Sequence, residues 1–167
     1  MVTPSLFRAH PSAASVAALE PDQLEPFIKS CGLFKSKAKN IVAASRILVE
    51  RHRGRVPRSM DELLALPGVG RKTANVVLSV AFDKAAIAVD THVFRVANRL
   101  GLAKANRPAQ TEAQLMRVIP QEDWSSAHHW LIHHGRAICH ARNPECERCP
   151  LRELCPSAQR FLRNKRI

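Results

Sequence analysis

The chain has 167 residues, which suits one domain, or one domain with a small appendage. Hydrophobic residues make up 46% of it, enough for a buried core and too many for intrinsic disorder, and no run approaches the roughly 18 to 20 apolar residues needed to cross a bilayer. Lys and Arg number 26 against 14 Asp and Glu, and the resulting net charge of +12 points to a polyanionic partner, nucleic acid or an anionic membrane surface, without choosing between DNA and RNA.

Residues 1–20 are rich in Ala, Ser and Pro and hold no acid before Glu20. A transit peptide is one reading, with only Arg8 and His10 to give it positive character. From Pro21 onward the pattern is helical. Pro21-Asp22-Gln23-Leu24-Glu25 opens a short helix with Leu24, Phe27 and Ile28 on one face and Gly32 as its stop. Cys31 follows that apolar face and reads as a core residue. Residues 36–52 form a second helix, with Ala38, Ile41, Val42, Ser45, Ile47 and Leu48 near helical spacing. Arg51, His52 and Arg53 suit the negative end of its dipole, and Gly54 ends it before Pro57. Ser59-Met60-Asp61-Glu62 has the form of a capping box and starts a short helix through Leu66. A sharp turn follows, then a helix from Arg71 to Phe82, broken by Asp83-Lys84. Residues 85–89 are a short apolar link. Further helices run from Asp90 to Leu100, ended by Gly101, from Thr111 to Ile119, and from Trp124 to His140. There is no alternating strand pattern and no period of 20 to 50 residues, so the fold class is all-α.

The turn between the third and fourth of these helices reads Leu66-Pro67-Gly68-Val69-Gly70-Arg71-Lys72-Thr73-Ala74. Glycine permits positive φ and lets another backbone come near. Such a turn delivers unpaired N–H groups at the positive end of a helix dipole, which makes an anion site suited to a DNA phosphate without any reading of sequence. The string resembles the helix–hairpin–helix motif of DNA repair proteins. An ordinary αα-turn with a glycine cap is the plainer reading.

Lys72 lies in the first turn of its helix, where the dipole disfavours a cation by a few tenths to about 1 kcal/mol. The same positive potential, with Arg71 alongside, favours a free amine, the form that attacks carbon in Schiff-base chemistry. Phosphate binding explains the residue equally well. Asp90, eighteen residues on, stands just ahead of a helix, so a capping role and a chemical role are both open and mutually compatible. Cys139, Cys146, Cys149 and Cys155 have the spacing C-x6-C-x2-C-x5-C. Four thiolates in one short loop make a sulfur-donor metal site, and spacing alone leaves zinc and iron–sulfur open. Arg142, Arg148 and Arg152 beside these ligands, and the tail Arg160-Phe161-Leu162-Arg163-Asn164-Lys165-Arg166, form a basic surface for phosphates. His128, His129, His133 and His134 share helical spacings but read as packing and hydrogen-bonding residues.

The string L-P-G-V-G-R-K-T-A-N-V-V-L-S-V-A-F, followed by A-V-D-T-H-V-F-R-V-A-N-R-L and by the cysteine pattern, is very similar to the endonuclease III family. The resemblance implies a helix–hairpin–helix glycosylase fold with a helical barrel domain over residues 1–120, the hairpin at 59–82, and a [4Fe–4S] cluster domain over 121–167. It implies a bifunctional DNA glycosylase and AP lyase of base-excision repair that removes oxidised pyrimidines. Lys72 would attack C1′ of a flipped nucleotide, Asp90 would assist, and β-elimination through the imine would cleave the strand 3′ to the lesion. Lysine at this position distinguishes the bifunctional type from adenine glycosylases of the same superfamily. Cys139, Cys146, Cys149 and Cys155 would hold the cluster. Leu33, Pro67, Gly68, Val69, Gly70, Arg71, Thr73 and Arg95 would contact DNA, Leu33 as a wedge opposite the lesion. The implied partner is double-stranded DNA with damaged bases or abasic sites, bound by a monomer in a bacterial-type cytoplasm or nucleoid, with no membrane partner.

Leu6-Phe7 and Pro11-Ser12-Ala13-Ala14 already look like the middle of that family's helical domain, which weakens the transit-peptide reading. Two helices that the family carries ahead of this point, including a segment with a wedge glutamine, have no match. Apolar faces are therefore expected to be exposed. A DNA-binding module that has lost a working pocket, and a glycosylase for another base, are the alternative readings.

Overall fold

The computed structural model describes residues 2–163, and among these there are helices and turns but no strand. Asn164, Lys165 and Arg166 of the expected basic tail lie outside the described residues. The backbone gathers into two units, Met1–Ala74 and Asn75–Ile167. The division falls inside one helix rather than at residue 120.

The first unit holds α1 (Thr3–Ala9), α2 (Ala13–Ala17), α3 (Pro21–Ile28), α4 (Phe34–His52), α5 (Met60–Leu64) and the opening turn of α6 (Arg71–Phe82). Residues 1–20 fold into two helices that their composition did not announce. Ser12 and Ser15 cap α2 reciprocally: each hydroxyl accepts the other's backbone N–H at 3.1 Å. Leu6 and Val16 then join Leu24, Ile28, Ala38 and Val42 in the buried core, with Cys31 half-buried at its edge. Helix α4 packs on α2 and α3, and its Arg46 ties down the link between them, donating to the carbonyls of Ala17 at 3.1 Å and Leu19 at 2.9 Å. At its end Arg53, ahead of Gly54, is already left-handed at φ 55°. The capping box of α5 is half made. Ser59 Oγ accepts the Glu62 N–H at 3.3 Å, but the Glu62 carboxylate accepts from the Ser59 hydroxyl at 2.5 Å instead of from the Ser59 N–H.

The second unit continues α6 and adds the buried link 86–89, α7 (Thr91–Leu100), α8 (Pro108–Val118), α9 (Trp124–Ala137), 3-10 turns and α10 (Ala158–Arg163). Pro108 occupies the first turn of α8, where a missing N–H costs nothing, so this helix starts three residues earlier than its apolar pattern. Val93, Val96 and Ala97 form the inward stripe of α7 and pack with Leu115, Ala127, Leu131 and Ile132. Gly135 lets α9 come close to α7: a Cβ there would lie 3.1 Å from His92 Cβ and Val96 Cγ2. Helix α9 stops at Ala137, before the expected His140, because the N–H groups of Ile138 and Cys139 both turn onto the His134 carbonyl. Phe7 is exposed on the first unit, and Val118 and Trp130 on the second. No helix among the described residues is long and apolar enough to cross a membrane.

Candidate functional site

In the hairpin of the first unit the two glycines have different tasks. Gly68 sits at φ +76°, a region costly for any residue with a Cβ. A Cβ there would also come within 2.8 Å of Asn40 Cβ and Nδ2 on α4. Gly70 has no positive φ, and a Cβ on it would meet nothing within 4 Å, so its open side faces space. The Val69 N–H closes the turn on the Leu66 carbonyl at 3.1 Å. The first bond into α6 runs from the Ala74 N–H to the Gly70 carbonyl at 3.0 Å. The backbone N–H groups of Gly70, Lys72 and Thr73 make no hydrogen bond to the described residues. The hairpin thus presents three unpaired N–H groups, with Pro67 and Val69 half-buried and Arg71 and Thr73 exposed.

Lys72 is exposed in the first turn of α6, and its amine makes no hydrogen bond or ion pair with the described residues. Leu33 is the N-cap of α4, held left-handed at φ 58° with 82% of its surface exposed. A branched apolar side chain is thus both strained and presented to solvent, a combination that points to use at a binding surface.

In the second unit Asp90 caps α7, its Oδ1 accepting the N–H groups of His92 and Val93 at 2.8 Å each. Its other carboxylate oxygen makes no hydrogen bond to the described residues. The link ahead of it is pinned from two sides. Buried Asn75 donates to the Ile87 carbonyl at 3.1 Å, and buried His128 donates its Nδ1–H to the Ala88 carbonyl at 2.6 Å, which fixes where that ring carries a proton. His128 therefore positions backbone, in line with the packing reading of the histidines. Neither anchor is visible in the sequence, since both bonds join residues far apart in the chain.

Arg95, expected at DNA, is turned inward. Its guanidinium donates to the carbonyls of Cys139 at 3.0 Å, Gly135 at 2.9 Å and Thr91 at 3.4 Å. Arg99, one turn on, does the same for the cysteine loop. It donates to the carbonyls of His140 and Ala141 and to Cys139 Sγ at 3.4 Å, and it stacks 4.5 Å over the ring of Phe161. Sequence reading missed Arg99, although its i,i+4 relation to Arg95 on one helix face was the available signal.

All four predicted cysteines line one pocket, together with Arg99, His134 and Phe161, enclosing about 360 Å³ of space that is partly open to solvent. The Cys146 thiol is pushed up by burial and by the neighbouring sulfurs of Cys139, Cys149 and Cys155, a crowding of negative charge that bound cations relieve. Cys155 donates to the Arg99 carbonyl at 3.3 Å, and His134 Nε2 lies 3.8 Å from Cys149 Sγ. Burial holds the His134 pKa down. Four sulfurs lining one pocket are a donor set for a sulfur-ligated metal centre, zinc or iron–sulfur. The basic rim is partly neutralised. Arg148 pairs with Glu145, whose carboxyl is held low chiefly by that bond and by His140, and Arg152 pairs with Glu153 at 2.7 Å. Arg142 is exposed with no such partner among the described residues.

Hairpin and loop together define a helix–hairpin–helix protein with a sulfur-ligated cluster. Residues 1–121 match the HhH-GPD superfamily of base excision DNA repair proteins, and residues 139–155 match the iron–sulfur binding domain of endonuclease III. Relatives named endonuclease III are 50% identical over 155 residues in Rickettsia felis, covering 93% of this chain and 73% of theirs, and 52% identical over 159 residues in Synechocystis, covering 95% and 73%. The Escherichia coli endonuclease III is 47% identical over 153 residues, covering 92% and 72%. A solved endonuclease III in a trapped covalent intermediate with DNA, the estranged-adenine complex, superposes with a TM-score of 0.92 at 46% identity, over 96% of this chain and 76% of that one. A non-covalent endonuclease III–DNA complex gives the same TM-score at 45% identity, over 97% and 76%. The chain belongs to the endonuclease III family, and its cofactor is a [4Fe–4S] cluster.

Proposed function

We propose that this chain is a bifunctional DNA glycosylase and AP lyase of base-excision repair, acting on oxidised pyrimidines and abasic sites in double-stranded DNA. Family membership supports the reaction class, and the observation that carries it is Lys72, an exposed amine without a protein partner beside the unpaired hairpin N–H groups. The cradle of Gly68, Gly70, Lys72 and Thr73 takes a backbone phosphate, with Pro67 and Val69 shaping it and Arg71 adding charge. Leu33 enters the duplex at the lesion, its side chain being 82% exposed and presented to solvent. Arg95 serves DNA binding indirectly, by holding the cysteine loop to α7.

The Lys72 amine in its free form attacks C1′ of the extruded nucleotide. The C1′–N bond breaks and the base leaves with its electron pair, taking up a proton. The secondary amine then opens the sugar to an imine on C1′. Loss of a proton from C2′ expels the 3′ phosphate, and water releases the lysine. Asp90, with one oxygen held by the cap and one free, stabilises the positive charge that develops on the sugar. Cys139, Cys146, Cys149 and Cys155 hold the cluster, whose contribution is to fold the loop and not to carry out a step. The family matches over 1–121 and 139–155 support residues 1–120 and 121–167 as the two functional parts. The protein works as a monomer on the nucleoid.

A duplex with one abasic site tests the reading. The wild-type chain is expected to cleave the strand on the 3′ side, and Lys72→Gln to bind the same duplex without cleaving it. Cleavage by Lys72→Gln at the wild-type rate refutes the assignment.

A further inference from the structure

Helix α4 carries the strained, exposed Leu33 at its start, and the Leu33 carbonyl accepts the Lys37 N–H at 3.0 Å, so the residue is fixed to the helix and not to a loose loop. Asn40 lies seven residues on, which is two helical turns, on the same face and about 10 Å along the axis. Its side chain rests on the hairpin: Asn40 Cβ and Nδ2 lie 2.8 Å, and Cγ 3.0 Å, from where a Cβ on Gly68 would stand. The half-buried carboxamide makes no hydrogen bond to the described residues, so shape alone holds it there. Gly68, Asn40 and Leu33 all belong to the first unit.

We infer that Asn40 is a positioning residue that sets the distance between the Leu33 wedge and the phosphate cradle. The inference rests on the repair function proposed above and adds a part to it. A wedge does work on a duplex only if the protein is braced on the backbone nearby. The Asn40–Gly68 contact supplies that brace, so force at Leu33 is taken up by the hairpin. The contact also accounts for a glycine at 68 on steric grounds beyond its positive φ. Asn40 touches no substrate atom in this scheme and acts through the two elements it joins.

A duplex with a non-cleavable abasic analogue and 2-aminopurine opposite it reports the wedge, since an estranged base fluoresces. Wild type is expected to give a rise in fluorescence that Leu33→Ala abolishes. Asn40→Ala is expected to cut the rise about tenfold, within the roughly hundredfold that a misplacement of about 1 Å can cost. Its affinity for undamaged duplex should stay within about twofold of wild type, because that binding is electrostatic and Asn carries no charge. Asn40→Leu, similarly branched, should keep the rise. A full rise with Asn40→Ala overturns the inference while leaving the repair reading intact. If Asn40→Ala does not fold, Asn40→Leu decides, and loss of the rise there overturns the proposal. A wild-type chain with neither rise nor strand cleavage overturns the repair reading and this inference together.

Discussion

Alanine at the two hairpin glycines should separate folding from binding. Gly68→Ala places a Cβ at φ +76°, which costs roughly 1–2 kcal/mol. The new methyl also meets Asn40 Cβ at 2.8 Å, an atom that no rotamer change can move, so α4 or the hairpin must shift. Overpacking of this kind adds about 1–3 kcal/mol. The sum, about 2–5 kcal/mol, corresponds to a fall in melting temperature of about 4–20 °C for a chain of this size. Gly70→Ala meets neither obstacle. The entropy lost by the unfolded chain and the poorer helix cap nearly offset each other, and stability should stay within about 0.5 kcal/mol of wild type. Its methyl, however, fills the space through which a phosphate reaches the free N–H groups. Losing one charge-assisted hydrogen bond of about 1.5–3 kcal/mol weakens binding at least about tenfold. Thermal melting and fluorescence anisotropy on one abasic-site duplex measure both quantities. An unchanged melting temperature for Gly68→Ala, or wild-type affinity for Gly70→Ala, refutes the division of roles.

Asp90→Asn should keep the α7 cap and the melting temperature while lowering single-turnover base excision by about 10²–10³-fold, whereas Asp90→Ala should also lose about 0.5–2 kcal/mol of stability. Equal activity for Asn and Asp at this position would reduce Asp90 to a cap. Arg142→Gln, at an exposed unpaired cation, should lower the log–log salt slope of DNA binding by about 1, and inward-turned Arg95→Gln should leave the slope unchanged while lowering thermal stability. A slope change for Arg95→Gln would show that its guanidinium reaches phosphate after all. Arg99→Ala removes the bonds to the His140 and Ala141 carbonyls and to Cys139 Sγ, and should yield protein with less iron per chain and faster bleaching of its visible absorbance. Iron content equal to wild type would count against Arg99 as the keeper of the loop.

Where the chain carries its own local instructions, the sequence was enough. Helix α6 was legible to the residue because Gly70 and Asp83 bracket it, and α7 to within one residue because Asp90 and Gly101 are strong caps. Helices α1 and α2 were not, since each is short and is stabilised by burying Leu6 or Val16 against residues far along the chain. The four cysteines could be named from spacing, but their gathering around one pocket is a property of the fold. Arg95 shows the limit most plainly. The resemblance implies a DNA contact there, and nothing local says that three carbonyls from its own helix, α9 and the cysteine loop have claimed it. Asn40 was passed over for the same reason, because its significance depends on Gly68, twenty-eight positions later.

Peptide mapping of the borohydride-reduced complex with abasic-site DNA bears most directly on the chemistry assigned to this chain. Mass spectrometry is expected to find the sugar fragment bonded to Nζ in the peptide carrying Lys72, and Lys72→Ala to give no adduct. A trapped adduct on any other amine, or tight binding with none, would contradict the claim that this lysine is the nucleophile.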